Sequence, residues 1–331
     1  MKIAIWYQTI PQPWGGSHQF LLALAKELTR LGYSISSYPD RKTEVVLINA
    51  HNRGPGLYLF PNQVAQVRQT GRFSWYGKWL PAKLWSFCPR RGAALVHRLD
   101  GIPELYRGVR TKADELQHGI NRLADFTIFQ SAFCKESFAQ RGVTPQSCRI
   151  VYNGVDPSFF YPPTQTHLSH TSFRLVAVSW SSNPRKGFTV LAQLSQIPGI
   201  EIRFAGHWLS TVDPGRVILL GPRNPAEIAE ALRQSDAMIH AAENEPCSNA
   251  IVEALACGLP ILYRDSGGNR ELAGDYGVPL TNTPSGDIEQ LRSRHQELRQ
   301  RILADRPRFL ITDIAQQYLK VFQQAIELRR Q

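Results

Sequence analysis

Short apolar runs alternate along this chain with segments whose apolar residues recur every three or four positions. An apolar run of about four to eight residues predicts a buried strand, and the wider spacing predicts a helix that packs on it. The predicted strands are Lys2–Tyr7, Val45–Ala50, Ala93–His97, Phe126–Gln130, Phe173–Ser179, Glu201–Ala205, Val217–Leu220, Ala237–His240 and Pro260–Tyr263. Because strands and helices alternate, we expect parallel strands with helices on both faces of the sheet.

The alternation is interrupted once, between residues 162 and 172, by a stretch rich in Pro, Thr, Ser and His. This composition is typical of a linker, and a length of 331 residues suits two domains of ordinary size. The sequence therefore predicts an α/β fold of two Rossmann-like domains whose parallel sheets face a central cleft, where ligands bind. We place these domains at residues 1–165 and 166–305, and we expect residues 306–331 to form a helix that braces the first domain.

Composition excludes several other classes of protein. The chain is 43% hydrophobic and 20% charged, which suits a buried core and differs from a disordered chain. No apolar run approaches the roughly 20 residues of a membrane span, and the first run is too short for a secretion signal, so we expect a cytoplasmic protein. Five cysteines without a Cys-x-x-Cys pair indicate neither a disulfide framework nor a zinc site.

The net charge of +11 belongs almost entirely to the first half of the chain. Residues 1–165 contain 20 Lys and Arg against 10 Asp and Glu, whereas residues 166–331 contain 18 against 17. The excess is therefore local, and no DNA- or RNA-binding motif accompanies it. We expect no nucleic-acid partner.

An aromatic and basic segment, Phe73–Arg91, lies in this basic half. Three of the chain's seven Trp fall within eleven residues there, interleaved with lysines. Trp beside Lys or Arg is typical of peripheral proteins that bind anionic lipid. One interpretation is contact with an anionic membrane surface, or with a lipid-linked acceptor, which would put the protein at the inner face of the membrane. The other is a core helix with a solvated basic side.

Two glutamates eight positions apart, Glu245 and Glu253, flank the start of a predicted helix, Ser248–Cys257. The backbone N–H groups of a helix's first turn, here around Ser248 and Asn249, are free to bind an anion. A carboxylate beside such a helix start suits a ligand with both a phosphate and hydroxyl groups. The alternative for Glu253 is a solvated side chain on the helix surface.

The segments that follow make this pattern more specific. Ala254–Pro260 predicts a tightly packed helix end and the entry to a strand, and Gly267–Asn269 predicts a second loop of phosphate-binding size. The whole stretch, Ala242–Leu272, is the most informative part of the chain.

This stretch resembles the retaining family 4 glycosyltransferases of the GT-B fold. Their acidic signature, two glutamates separated by seven residues, matches Glu245 and Glu253. Val151–Asp156 resembles the segment that ends the family's first domain, and Gly15 and Gly16 resemble its N-terminal glycine loop. The resemblance implies a GT-B fold and a nucleotide-sugar donor bound in the cleft.

The resemblance also implies roles for individual residues. Glu253 would bind the ribose hydroxyls of the nucleotide, and Glu245 would contact the donor sugar near its 3-hydroxyl. Lys186 would pair with the diphosphate, as a compact ammonium suits a phosphate. Gly15 and Gly16 would bring backbone N–H groups close to the phosphate–sugar linkage.

His97 is the third residue, with Glu245 and Lys186, that we expect to be catalytic. The resemblance implies that His97, at the carboxyl end of a predicted first-domain strand, would face the donor sugar across the cleft. The alternative is a buried histidine whose hydrogen bonds are satisfied within its own domain.

One position departs from the family pattern. The family has an Arg five residues before its phosphate-binding Lys, and this chain has Ser181 there. We expect Asn183 or Arg185 to substitute for it beside Lys186. No Asp-x-Asp occurs in the chain, so we expect no Mg²⁺ or Mn²⁺ and no other cofactor, with protein cations acting on the phosphates.

Three classes of function remain open from the sequence. The first is a hexosyl- or deoxyhexosyltransferase that acts on a glycan or a lipid-linked glycan. The second keeps the fold but changes the reaction, as in a nucleotide-sugar epimerase or a glycoside phosphorylase. The third is a catalytically degenerate protein that binds nucleotide sugar or glycan as a partner subunit.

Overall fold

The computed structural model describes residues 1–10, 15–40, 42–54, 56–70, 92–164 and 172–330. The first sheet comprises β1 (Lys2–Ile5), β2 (Ser34–Ser36), β3 (Val45–Asn49), β4 (Ala94–Leu99), β5 (Phe126–Phe129) and β6 (Cys148–Ile150). Its strand order is β2-β1-β3-β4-β5-β6, and every pairing is parallel.

The second sheet repeats this design. Its strands are β7 (Phe173–Ser179), β8 (Ile200–Gly206), β9 (Ile218–Gly221), β10 (Ala237–His240), β11 (Ile261–Tyr263) and β12 (Gly277–Pro279). They are parallel in the order β12-β11-β10-β7-β8-β9. In both sheets the order reverses direction beside the first strand of the domain. A crevice opens at such a switch point, beyond the carboxyl ends of the strands.

Helices cover both sheets, as the alternation predicts. In chain order they are α1 (Gly15–Arg30), α2 (Pro61–Thr70), α3 (Pro103–Arg107), α4 (Lys112–Asn121), α5 (Ala132–Ala139), α6 (Phe188–Leu194), α7 (Pro225–Arg233), α8 (Asn249–Ala256), α9 (Asn269–Ala273), α10 (Pro284–Ser293), α11 (His295–Asp305) and α12 (Ile311–Arg330). None of those in the described ranges is long and apolar enough to cross a bilayer.

The sequence did not predict three short edge strands, β2, β6 and β12, or the helices α2, α3 and α9. Each of these strands has only three residues, too few for apolar periodicity to register. Ser17 precedes apolar residues at helical spacing, so the sequence predicts it as the N-cap of the first helix. This prediction is wrong, because α1 already begins at Gly15. The Ser17 hydroxyl donates instead to Asp100, at 2.8 and 2.9 Å from its two carboxylate oxygens.

The last helix, α12, returns from the second domain and packs on the first sheet. Its buried Tyr318 and Phe322 join the core of that domain, and the Tyr318 ring lies 5.8 Å from the ring of Phe20 in α1. Burial of this amphipathic face fixes the chain's end to the first domain. The predicted linker falls mostly on residues 165–171, outside the described residues.

Candidate active site

A cavity of about 610 Å³ lies between the two sheets. Both domains line it with residues that follow the carboxyl ends of their strands, which is where parallel α/β sheets bind ligands. Asp100 follows β4 and Asn153 follows β6 in the first domain, while Trp180 follows β7 and His240 ends β10 in the second. The cavity is therefore the cleft that the sequence predicts.

Lys186 and Glu245 form an ion pair on the second-domain wall of this cavity. Lys186 ends a short 3-10 turn after β7, and Glu245 lies in the loop between β10 and α8. Burial raises the pKa of the Glu245 carboxyl, but the charge and hydrogen bond of Lys186, with the charges of His240 and Arg107, together outweigh burial and hold that pKa below its usual value. The site thus presents an ionised carboxylate, an acceptor of hydrogen bonds, directly beside an ammonium.

Glu253 is a second carboxyl in the cavity wall, one turn and more into α8. Burial raises its pKa to about 8, so at neutral pH it is mainly protonated when the cavity is empty. Within the described ranges its carboxyl has no hydrogen-bond partner. Because the residue is half-buried and lines the cavity, the alternative of a solvated glutamate on the helix surface does not hold.

The N-terminus of α8 opens into the cavity, since Ser248, Asn249 and Ala250 all line it. Ser248 is the N-cap, and its hydroxyl accepts a hydrogen bond from the backbone N–H of Ile251. The unpaired N–H groups of a first turn, with the helix dipole, favour a bound anion. This supports the anion-binding role predicted around Ser248 and Asn249.

The loop carrying Gly15 and Gly16 contacts α8 across the cleft. The side-chain amide of Asn249 donates to the Gly16 carbonyl at 2.7 Å and accepts from Asn153 at 2.6 Å. A Cβ on Gly16 would come within 2.8 Å of the Asn249 amide nitrogen, so a larger residue would displace the Asn249 side chain from these hydrogen bonds. Gly15 has φ +47°, a conformation that also favours glycine. Both glycines line the cavity where the sequence predicts.

The loop after β7 is organised differently from our expectation. Ser181 and Asn183 line the cavity, and the Asn183 side chain caps the 3-10 turn by accepting from the Arg185 N–H at 2.9 Å. Arg185 does not line the cavity. Its guanidinium donates to the Leu105 carbonyl of α3 at 2.5 Å. The expectation that Arg185 replaces the missing arginine at the phosphates is wrong, because its charge is turned toward the first domain.

The placement predicted for His97 is also wrong. The side chain is fully buried and does not line the cavity. Its Nε2 lies 2.8 Å from the Ala50 carbonyl oxygen and its Nδ1 lies 3.2 Å from the Asn121 amide nitrogen. Burial lowers its pKa to about 4. The structure thus gives His97 the alternative role, a neutral histidine whose hydrogen bonds stay inside the first domain.

The strand-end histidine that does reach the cavity is His240. It is buried at the end of β10, its pKa is lowered to about 4 by burial, and its Nε2 has no hydrogen-bond partner within the described ranges. The sequence contains the signal that identifies it, a polar residue at the carboxyl end of a predicted second-domain strand. Sequence reasoning applied that rule to His97 alone.

The first domain contributes Asp100, Tyr106 and Arg107 to the cavity, and sequence reasoning missed all three. Asp100 is held by the Ser17 hydroxyl and by the Gln130 amide, which donates at 2.7 Å. Burial raises the pKa of the Tyr106 hydroxyl, so it stays protonated. Asp100 lies only three residues beyond His97, so the sequence indicated the correct strand end but the wrong side chain.

Gly267 and Gly268 do not form a second phosphate loop, since neither lines the cavity. A Cβ on Gly267 would come within 2.7 Å of the Glu245 backbone, and one on Gly268 within 2.5 Å of the Pro246 carbonyl oxygen. These glycines instead let the loop pack behind Glu245. The Gly268 N–H also donates to the Glu245 carbonyl at 2.8 Å.

No group of three or more His, Cys, Asp or Glu side chains that could hold a metal ion occurs in the described part of the chain. The formal positive charges that line the described part of the cavity are those of lysine and arginine side chains. The segment Phe73–Arg91, which the sequence associates with a membrane or an acceptor, lies outside the described residues.

Two parallel sheets that face one cavity, with a returning C-terminal helix, define the GT-B fold. Residues 212–298, which lie in the second domain, match the family described as "Glycosyl transferases group 1". The chain is also 28% identical over 182 residues to a GDP-mannose-dependent alpha-mannosyltransferase of Mycobacterium tuberculosis. That match covers 51% of this chain and 47% of the relative, so it spans about half the length of the curated protein.

Solved structures match over nearly the whole chain and confirm the fold. Sucrose-phosphate synthase from Thermosynechococcus elongatus superposes with a TM-score of 0.68, at 17% identity, over 98% of each chain. HepE from Anabaena, in a complex with UDP and glucose, superposes with a TM-score of 0.68 at 18% identity, over 98% of this chain and all of HepE. The GT-B fold that the resemblance implied is therefore present.

Proposed function

We propose that this protein is a retaining glycosyltransferase, which moves a sugar from a nucleotide-sugar donor to a glycan or a lipid-linked glycan. The observation that carries the proposal is the second-domain wall of the cavity. It combines the Lys186–Glu245 ion pair, the N-terminus of α8 and the protonated Glu253. These groups match the diphosphate, sugar hydroxyls and ribose of such a donor, in one continuous cleft.

The reaction needs positive charge where the leaving group forms. The bond between the anomeric carbon and the diphosphate oxygen breaks, and negative charge develops on the phosphate. Lys186 and the first turn of α8 stabilise that charge in the cleft between the domains. Because this positive charge comes from the protein itself, we propose that the reaction needs no metal ion. Full activity after treatment with EDTA is the expected result, and loss that Mg²⁺ or Mn²⁺ restores would contradict it.

Two carboxyl groups hold the rest of the donor. The ionised Glu245 accepts a hydrogen bond from a hydroxyl of the sugar, and Glu253 binds the ribose hydroxyls deeper in the second domain. The acceptor oxygen attacks the anomeric carbon from the face that the diphosphate leaves. Its proton passes to the departing phosphate oxygen, so no covalent enzyme intermediate forms and the configuration is retained.

The acceptor belongs to the basic first domain, whose excess of Lys and Arg suits an anionic surface. We propose that the protein acts in the cytoplasm, at the inner face of the membrane. Co-sedimentation with liposomes of phosphatidylglycerol tests this contact. Equal sedimentation with neutral liposomes would contradict it.

A panel of nucleotide sugars, screened by thermal unfolding, tests the donor. GDP-mannose and UDP-glucose enter the panel first, since the mannosyltransferase relative is GDP-mannose-dependent and HepE has been captured with UDP-glucose. One donor should raise the melting temperature in proportion to the logarithm of its concentration. Lys186→Ala should weaken this effect. A panel in which no donor raises the melting temperature would contradict the proposal.

A further inference from the structure

The cavity wall holds few positive charges that are free to meet a diphosphate. The cationic side chains that line it within the described ranges are Lys26, Arg107, Lys186 and Arg223. Three of these four are paired with a carboxylate, Lys26 with Asp156 at 2.7 Å, Arg223 with Glu227 at 3.3 Å and Lys186 with Glu245. Within the same ranges Arg107 forms no ion pair, and its guanidinium donates no hydrogen bond. Among the four cations that line the described part of the cavity, Arg107 is therefore the one that no carboxylate pairs with.

Arg107 belongs to the first domain, but its helix is attached to the second-domain loop that carries Lys186. The Arg185 guanidinium donates to the Leu105 carbonyl at 2.5 Å, and the Asn183 side chain donates to the Arg107 carbonyl at 3.3 Å. Gly108 ends α3 in a left-handed conformation. A Cβ there would lie 3.1 Å from the Arg185 Nε, so glycine permits the close contact. These bonds fix the end of α3 against the Lys186 loop.

The charge of Arg107 acts on the same groups as Lys186. It contributes to holding the pKa of the Glu245 carboxyl below its usual value, which places its guanidinium within electrostatic reach of that pair. Its side chain is exposed and lines the cavity, and its guanidinium lies 5.5 Å from the centre of the Tyr106 ring. A planar guanidinium in this position suits phosphate oxygens, to which it donates two hydrogen bonds at once.

We propose that Arg107 binds the diphosphate of the donor and supplies, from the first domain, the cation that Ser181 does not supply from the second. This inference rests on the proposed function, because it requires a nucleoside diphosphate in the cavity. Arg185 then acts as a positioning residue, which holds α3 so that Arg107 and Lys186 face one ligand. Since Arg107 and Lys186 belong to different domains, the diphosphate bridges the cleft.

Calorimetric titration of wild-type protein and variants with UDP and GDP, and with UMP and GMP, tests this role. Arg107→Ala should weaken binding of the preferred diphosphate by about tenfold to a hundredfold, as expected for a lost hydrogen bond to a charged group. The corresponding monophosphate should lose much less. Arg107→Lys should retain part of the affinity, because it keeps the charge but not the fork of donors. Arg110→Ala is the matched control, an exposed arginine three residues on that does not line the cavity, and it should bind like wild type.

Each outcome separates this inference from the proposed function. Wild-type protein that binds neither UDP nor GDP would overturn both. Arg107→Ala with wild-type affinity for the diphosphate would overturn the role of Arg107 and leave the proposed function standing. Equal losses for diphosphate and monophosphate would also overturn it, since that result indicates a structural effect on the cleft. A melting temperature equal to that of Arg110→Ala shows that the variant is folded.

Discussion

Glu253 shows how burial alone sets the chemistry of a side chain. The carboxyl lies in the wall of the cavity, and burial raises its pKa from 4.5 to about 8. The folded protein therefore holds a proton between these two values that the unfolded chain releases. The contribution of the protonated Glu253 to the free energy of unfolding is complete below about pH 4.5 and is lost as the pH rises through about 8.

Replacement of Glu253 by Gln removes this pH dependence, because the amide does not titrate. The melting temperature of Glu253→Gln relative to wild type should increase between pH 5.5 and pH 8. Glu243→Gln provides the control, because Glu243 pairs with Arg264 at 3.0 Å and does not line the cavity. A difference between Glu253→Gln and wild type that is the same at both pH values would contradict the raised pKa.

At the residue scale, sequence reasoning succeeded where a motif fixes the position of a side chain on an element. Glu245, Glu253 and the two glycines line the cavity because helix start and glycine loop are local features. It failed for His97 and Arg185, because the direction of a side chain depends on what packs beside it. The His97 ring nitrogens form hydrogen bonds with the Ala50 carbonyl and the Asn121 amide, and the Arg185 guanidinium donates to the Leu105 carbonyl. None of these contacts is local in sequence.

At the scale of elements, the start of α5 joins the two domains. Ser131 caps the helix by accepting from the Cys134 N–H. The first two N–H groups of the helix donate instead to the Glu271 carboxylate of the second domain, both at 2.7 Å. The Tyr152 hydroxyl donates to the same carboxylate at 3.1 Å. Glu271 of the second domain therefore accepts the hydrogen bonds of two N–H groups at the start of α5 that have no acceptor in the first domain.

Loss of the Glu271 carboxylate should destabilise the protein. Glu271→Ala leaves two N–H groups at the start of α5 without an acceptor, at about 1–3 kcal/mol for each unsatisfied group that stays buried. The melting temperature should fall by several degrees, at roughly 2–4 °C per kcal/mol. Tyr152→Phe removes one of the three hydrogen bonds and should have a smaller effect. An unchanged melting temperature for Glu271→Ala would show that this contact does not stabilise the fold.

The same element separates what sequence can and cannot predict. Caps such as Ser131, and the capping box of Thr111 with Asp114, are readable because donor and acceptor lie within three residues. The contact of Glu271 with Ala132 spans 139 residues. Its existence depends on how the domains meet, which no local pattern encodes.

At the scale of the whole molecule, the two sheets present their switch points to one cavity, and α12 fixes the chain's end to the first domain. The alternation of strands and helices predicts both sheets, because parallel strands are covered by helices on both faces and so have an apolar sequence pattern. The two domains contribute unlike groups to the cavity. The second supplies Lys186, Glu245 and Glu253, and the first supplies Asp100 and Arg107. This division suits a donor held mainly by one domain and enclosed by the other.

The most direct test of the central claim is the rate at which a nucleoside diphosphate is released from the donor identified in the panel. Wild-type protein should consume the donor, and Glu245→Gln should be more than tenfold slower while donor binding is partly retained. Glu243→Gln, two residues away and outside the cavity, should turn over at the wild-type rate. Glu245→Gln with undiminished turnover, or wild-type protein that releases no nucleoside diphosphate from any donor, would contradict the account.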